Sequence, residues 1–470
     1  MNRTKRVVVI GLDCASPTLI FERWRAELPH LSSLIERGTY GRLRSSHPPI
    51  TVPAWSSMMS SKNPGRLGFY GFRNRKDHSY DGLVFANSEA VKEDRVWDIL
   101  SQDGKSVILI GVPQTYPAKP LNGLVITDFL TPSTEAEYTY PSELRREVEE
   151  QVGSYILDVE GFRSDNKEAV LSQIYEMTEK RFRLARHFLT TKPWDFFMMV
   201  EMGPDRIHHG FWKYMDPTHP KHEAASPYQN AIRDYYRFLD QEIGKILQLL
   251  DSDTAILVVS DHGAKKMDGG ICVNEWLIQE GYLFLKEYPS SLMRFSPSLV
   301  DWSRTKAWGE GGYYSRIFLN VKGREPEGVI LPAEYETFRK ELIQKLEALG
   351  DPKGRPIGTK VHRPEELYPV LRGVAPDLIC YFGDLNWRSV GSVGMRTIHT
   401  FDNDTGPDDA NHDWDGIFIL KDLEKRKEIQ LTGLELRDVA PTILELFGMP
   451  VPPDMEGTSV LSRLFRTTSL

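Results

Sequence analysis

The chain has 470 residues, 58 Lys and Arg against 66 Asp and Glu, and a formal net charge of −8. That length exceeds one ordinary domain and suits a large α/β core with insertions. The acidic balance gives no reason to expect a nucleic-acid or anionic-membrane surface, and no stretch approaches the roughly 20 apolar residues of a membrane span.

The basic start Met1 to Arg6 leads into an apolar run shorter than the roughly 7 to 15 residues of a signal-peptide core. Cys14, Cys272 and Cys380 are widely spaced, with neither a disulfide framework nor zinc-finger spacing. Both features lead to the expectation of a cytoplasmic protein in a reducing compartment.

Short apolar runs then alternate with helical segments, the pattern of an α/β fold. Strands are expected at 6–12, 106–111 and 123–127, and helices near 30–37, 53–60 and 90–101. From 131 to 191 the composition shifts to Tyr- and Pro-containing loops and then a charged amphipathic helix at 167–189, expected as an inserted helical cap with a solvated face. A strand at 194–200, a helix at about 226–250 and a buried strand at 254–260 resume the core. Residues 280–320 carry Trp302, Trp308, Tyr313 and Tyr314 around a Gly-rich turn. They are expected as a lid whose rings either stack on a substrate or pack among themselves. A helix at 332–348, a strand at 377–382, a loop at 391–415 and a strand at 416–420 follow. The expected division is a catalytic α/β core of 1–130, 192–279 and 321–470, a cap of 131–191 and a lid of 280–320.

Metal-ligand chemistry concentrates at the ends of the predicted strands. Val258-Val259-Ser260 ends in Asp261-His262-Gly263, Val7 to Leu12 ends in Asp13, and Phe196 to Val200 leads to Asp205 and His209. Open parallel sheets hold their ligands beyond the carboxyl ends of the strands, so these three ends can meet in one crevice. Asp205 and His209 share a helix face at spacing i, i+4, whereas His208 points elsewhere. His412 precedes a strand and has to reach the crevice on a loop. Thr51, in Pro48-Pro49-Ile50-Thr51-Val52-Pro53, stands at the start of a helix, where the dipole and free N–H groups favour an anion. Singly, each residue has a plainer reading: Asp13 and Asp261 as strand terminators, Thr51 as a helix cap, His209 and His412 as ordinary histidines. Their joint order favours a metal-dependent enzyme.

Asp13, Thr51-Val52-Pro53, Asp205-x-x-x-His209, Asp261-His262-Gly263 and His412 together resemble the alkaline phosphatase superfamily, in its type I phosphodiesterase/nucleotide pyrophosphatase branch. The C-terminal run Asp438 to Leu444 and the turn Pro453 to Gly457 are similar to that superfamily's closing helix and turn. The resemblance implies a central, mostly parallel sheet flanked by helices, with two divalent metals, zinc by family and manganese by ligand chemistry as the alternative. It implies Asp13, Thr51, Asp261 and His262 at one metal and Asp205, His209 and His412 at the other. It further implies that Thr51 attacks phosphorus to form a phospho-threonine ester that water then displaces.

One departure bears on the substrate. Nucleotide pyrophosphatases place a phosphate-binding asparagine about twenty residues after the nucleophile, whereas Phe72 stands here, followed by Arg73, Asn74 and Arg75 as candidate substitutes. The run Lys62, Arg66, Arg73 and Arg75 either neutralises a phosphate or forms a solvated loop. The expected substrate is a small phosphate ester (nucleotide, lipid or sugar phosphate) whose phosphodiester or pyrophosphate bond is hydrolysed. The alternatives are a phosphomutase or phosphotransferase of the same superfamily, for which Thr51 in place of serine is atypical, and a non-catalytic metal-stabilised scaffold. The sequence disfavours a sulfatase, because Thr51 is not a modifiable Cys or Ser and the arginine of the sulfatase frame is missing.

Overall fold

The strand Arg6–Leu12 reads as an unbroken apolar run because it lies inside a ten-stranded sheet and is covered on both faces, with Val7 to Ile10 and Leu12 fully buried. It pairs in parallel with Phe196–Glu201 on one side and Thr254–Val259 on the other. Phe196–Glu201 continues in parallel to Val107–Ile110, which pairs with Gly123–Ile126. On the other side the direction reverses, since Asp415–Lys421 is antiparallel both to Thr254–Val259 and to Thr39–Arg44. Thr139–Tyr140 closes one edge, and Ile429–Gln430 and Leu434–Glu435 pair with Thr39–Arg44 at the other. The computed structural model describes residues 4–424 and 427–467, so Met1, Asn2 and Arg3 of the basic start lie outside the described residues.

Helices flank this sheet, as expected. Lys167–Thr191, Gly203–Met215 and Ala231–Leu247 pack on one another, and Pro29–Glu36 packs on Ala231–Leu247. Thr51–Ser60 packs against Val96–Gln102 and Val439–Leu446.

Two segments differ from expectation. Lys167–Thr191 has the expected solvated face, with Glu168, Glu176, Glu179 and Arg183 exposed, but it is part of the core and not a cap: Val170, Ile174, Met177, Phe182, Ala185 and Phe188 enter the principal core. Thr139–Tyr140 from the same segment extends the central sheet. Charges between the apolar positions mask this buried stripe in the sequence. The expected lid and the stretch after it form one second layer, an antiparallel sheet in the order Ala307–Glu310, Ser315–Leu319, Leu378–Tyr381, Lys360–His362. Trp276, Leu277, Trp308, Phe318, Leu342 and Leu346 fill its core, so most of the aromatic run is packing, with Trp302 stacked on Tyr80 at 3.7 Å. The expected boundary at 320/321 passes through this sheet. The stretch 391–415 is also more ordered than a loop, with strands His399–Thr400 and Ala410–Asp413.

Candidate active site

The carboxyl ends of Arg6–Leu12, Thr254–Val259 and Phe196–Glu201 are adjacent because these strands are parallel neighbours, and they deliver Asp13, Asp261-His262 and Asp205 to one place. Glu201, the last residue of its strand, fixes the start of the helix Gly203–Met215 by accepting Gly203 N–H at 2.8 Å. Asp205 and His209 sit in that helix, with His209 Nε2 3.2 Å from Asp205 Oδ1.

His412 arrives by the reversal of direction. Asp415–Lys421 is antiparallel to Thr254–Val259, so its beginning lies at the rim where its neighbour ends. The pairing of Gly263–Lys266 with Ala410–Asp413 then sets His412 opposite Ala264, on a strand and not on the loop expected. Thr39–Arg44 runs in the same sense as Thr254–Val259, and the chain leaving it turns at Pro48 and Pro49 into the helix Thr51–Ser60. Thr51 is its first residue and 3% exposed. Because Pro53 lacks an N–H and the first helical bond runs from Ala54 to Ile50, the N–H groups of Thr51 and Val52 have no intrahelical acceptor.

All seven expected residues are therefore brought into one buried region. Asp205, His262 and His412 form one group whose ligand atoms lie within 4.8 Å of one another, and Asp13, Asp261 and His262 form a second. His262 stands between them, 3.2 Å from Asp261 Oδ2 and 3.7 Å from Asp13 Oδ1, and its ring stacks on His412 at 3.8 Å.

Each histidine is oriented by its other nitrogen. His209 Nδ1 faces Asp408 Oδ1 at 2.7 Å, His262 Nδ1 faces the Gly263 carbonyl at 3.1 Å, and His412 Nδ1 faces the Pro49 carbonyl at 2.9 Å. An oxygen acceptor at Nδ1 puts the proton there in the neutral ring and leaves the Nε2 lone pair aimed into the site. At His209 burial is outweighed by Asp408 and Asp205, which raise the imidazole to about 9, so a cation binding there would displace a proton from Nε2. All three Nε2 atoms, together with Asp13 Oδ1 and Asp261 Oδ2, are buried without a hydrogen-bond partner among the described residues. Buried polar atoms are rarely left in this state, and here they converge.

Electrostatics point the same way. Burial and the neighbouring Asp205 push the Asp13 carboxyl well up, and burial with Asp13 does the same to Asp261. Burial also works to raise Asp205, but His209 and Arg206 overcome it and hold its carboxyl well below the usual range. Burial presses the His262 imidazole down to about 4. Three carboxylates crowded out of water need positive charge among them, so the donor set fits divalent metal ions.

Several supporting residues escaped the sequence reading. Trp55 Nε1 donates to Asp13 Oδ2 at 2.7 Å, and Arg206 pairs with both Asp205 and Asp158. Asp408 Oδ2 receives Arg163 at 2.9 Å and Arg388 at 3.1 Å, and Tyr313 stacks on His209 at 4.8 Å. Trp55 stands one helical turn after Thr51, a spacing that could have singled it out. The closing turn braces the Thr51 helix from behind, with Glu456 N–H bonded to Ser61 O at 2.8 Å and Gly457 N–H to Ser61 Oγ at 2.9 Å.

Thr51, Asp205 and His412 open into a cavity of about 920 Å³. Phe72 lies on its wall against Phe129, and Arg73 and Arg75 line it, but Asn74 does not. The Asn74 amide is spent within its own turn, accepting Tyr70 N–H and donating to Gly71 O. Lys62 and Arg66 leave the basic run altogether and pair with Asp454 at 2.7 and 3.0 Å.

No helix among the described residues is long and apolar enough to cross a membrane, and Cys14, Cys272 and Cys380 are free and buried.

No curated protein sequence matches the chain. The fold is similar to human ectonucleotide pyrophosphatase/phosphodiesterase 5, with a TM-score of 0.56 and 11% identity over 98% of both chains. The murine enzyme, as an inactive variant in complex with AMP, gives 0.55 and 11% with 98% of both chains covered. Phosphonoacetate hydrolase from Sinorhizobium meliloti 1021, in complex with phosphonoformate, gives 0.60 and 16%, covering 93% of this chain and 94% of that one. This is the alkaline phosphatase superfamily fold that the resemblance implied. The sequence profile for type I phosphodiesterase/nucleotide pyrophosphatase matches residues 7–415, and the chain belongs to that family of phosphoester hydrolases.

Proposed function

We propose that this protein is a dinuclear metal-dependent phosphohydrolase that cleaves a phosphodiester or pyrophosphate bond through a phospho-threonine intermediate on Thr51. The observation that carries the reading is the orientation of His209, His262 and His412, whose Nδ1 atoms are held by oxygen acceptors while their unpartnered Nε2 atoms face Asp13, Asp205 and Asp261 beside Thr51. Asp13, Thr51, Asp261 and His262 would hold one cation and Asp205, His209 and His412 the other, with His262 within reach of both. Imidazole with carboxylate suits zinc, and manganese is the alternative. Divalent cations bound there would neutralise charge on the phosphoryl oxygens and favour the alkoxide of Thr51.

Thr51 Oγ1 attacks phosphorus, the bond to the leaving oxygen breaks, and the phosphoryl group is carried as an ester on Thr51. Water then attacks the same phosphorus and the Thr51 oxygen departs. The N–H groups of Thr51 and Val52 receive a phosphoryl oxygen. AMP and phosphonoformate in the solved relatives support a small phosphate ester as substrate. The free thiols support a reducing, cytoplasmic setting.

Turnover of bis(p-nitrophenyl) phosphate against p-nitrophenyl phosphate tests the reading. The diester is expected to react faster, with activity lost on chelation; preference for the monoester, or silence toward both from the metal-loaded protein, would contradict it. Asp408→Asn is expected to weaken metal binding by about 10- to 100-fold, because the carboxylate behind a ligating histidine fixes its tautomer and ring. Competition with a chromogenic chelator measures this, and unchanged affinity would remove His209 from the ligand set.

A further inference from the structure

Arginines dominate the charge of the cavity beyond Thr51, and they divide into two kinds. Arg206 is paired with Asp158 and Asp205, Arg163 and Arg388 with Asp408, and Arg75 with Glu325. Arg388 also has Asp404 at 4.0 Å, so each of these guanidinium groups has a carboxylate partner and forms part of the wall. Arg73, Arg294 and Arg316 line the same cavity, yet none has a carboxylate within ion-pair distance among the described residues. The side chains of Arg73 and Arg294 make no hydrogen bond among the described residues.

The three come from separate segments whose backbones are fixed. Arg73 opens the strand Arg73–Arg75 and pairs with Phe85. Arg316 is 8% exposed and donates Nη1 to the Arg73 carbonyl at 2.5 Å. Arg294 is exposed and follows Met293, whose N–H and C=O both bond Val393, at 2.8 and 2.9 Å. Arg73 is half-buried, and burial together with repulsion from Arg294 and Arg316 lowers its pKa. Glu310, opposite Arg316 in the strand pair, is the acid that acts on Arg73, and with Asp81 on the same wall it leaves two carboxylates outside ion pairs among the described residues against three guanidinium groups. Phe129, Phe162 and Trp308 add apolar surface to the same wall. Three guanidinium groups without a carboxylate partner on one wall, close enough for Arg294 and Arg316 to repel Arg73, attract an anion, and arginine's planar fork suits phosphate or carboxylate.

We propose that Arg73, Arg294 and Arg316 form a second anion subsite that binds a phosphate or carboxylate carried by the substrate apart from the phosphoryl group at Thr51. The substrate is then a phosphodiester or pyrophosphate bearing a further anionic group, not a diester of two neutral alcohols. This deepens the proposed reaction and rests on it for the Thr51 end alone.

Calorimetric titration of the metal-loaded protein with methylphosphonate and with a series of longer α,ω-alkylenebisphosphonates tests the subsite. One spacer length is expected to bind roughly tenfold or more tightly than methylphosphonate, the gain from one well-formed charge-assisted contact. In Arg294→Gln and Arg316→Gln that ratio is expected to collapse toward one. Arg294 is exposed, so its variant keeps the test valid even where replacing the buried Arg316 disturbs folding. A parallel series of ω-carboxyalkylphosphonates tells carboxylate from phosphate by the larger gain. The absence of any gain across both series, or a gain that persists in Arg294→Gln and in Arg73→Gln, would overturn the subsite. The two proposals fail separately: a spacer-dependent gain in a protein that hydrolyses no phosphate ester would sink the reaction and keep the subsite, and turnover without any gain would do the reverse.

Discussion

Thr51→Ala is expected to lower phosphodiester turnover by on the order of 10³-fold or more while leaving the thermal midpoint nearly unchanged. The two halves of this prediction have separate causes. Turnover falls because the hydroxyl is the atom that attacks phosphorus, and the neighbouring helix N–H groups and basic wall retain only binding and charge stabilisation. Stability survives because the N-cap of the helix is Ile50, and no side-chain capping bond is present to be lost. Thr51→Ser keeps a hydroxyl at the same place and is expected to retain more activity than the alanine variant. Steady-state kinetics with thermal melts of all three proteins check both halves; an alanine variant within a few-fold of the parent rate would remove Thr51 from the chemistry.

Arg181→Met is expected to destabilise the fold by about 3–5 kcal/mol, because it leaves Glu201 buried and uncompensated. Arg181 and Glu201 are 1% and 0% exposed and 3.4 Å apart. Glu201 also accepts Gly203 N–H and the Thr178 hydroxyl, so the damage falls directly beneath the turn that carries Asp205. Burial already raises the Glu201 pKa above its ordinary value, and loss of Arg181 raises it further. A carboxyl whose folded pKa exceeds its unfolded one binds more protons when folded, so the variant loses stability as pH rises from the unfolded pKa through the folded one. Denaturant melts at pH 5 and pH 8 are therefore expected to show the larger deficit at pH 8. Adding Glu201→Gln removes the stranded charge and is expected to recover part of the loss; a deficit of under about 1 kcal/mol, in the range of an exposed ion pair, would contradict the buried-pair account.

How much of this could be read from the sequence depends on which direction each strand runs. Asp13, Asp205 and Asp261-His262 were legible because each follows an apolar strand, and parallel neighbours bring such ends together. His412 looked misplaced because it precedes its strand. Only the antiparallel pairing of Asp415–Lys421 shows that the beginning of that strand lies at the same rim. Asp408 was hidden in an Asp-rich stretch, where nothing local marks which carboxylate reaches a histidine 199 residues away.

Proximity in sequence misled in the opposite way for Lys62 and Arg66, which stand close to Thr51 but pair with Asp454 near the other end of the chain. Phe72, read as a departure from the asparagine of the relatives, is on the cavity wall, whereas Asn74, a candidate replacement, is turned into its own loop. The wider architecture was harder still. Apolar positions in Lys167–Thr191 are separated by charges, and the second sheet joins strands on both sides of the expected boundary at 320/321. Long-range pairing decides both, and local composition does not carry it.

The central claim, attack by Thr51 followed by displacement with water, is tested most directly by stereochemistry at phosphorus. Hydrolysis of a single diastereomer of a phosphorothioate diester in ¹⁸O-labelled water involves two in-line displacements if a phospho-threonine forms, and the product is expected to retain configuration. Inversion would show one direct displacement by water and would contradict the covalent role of Thr51.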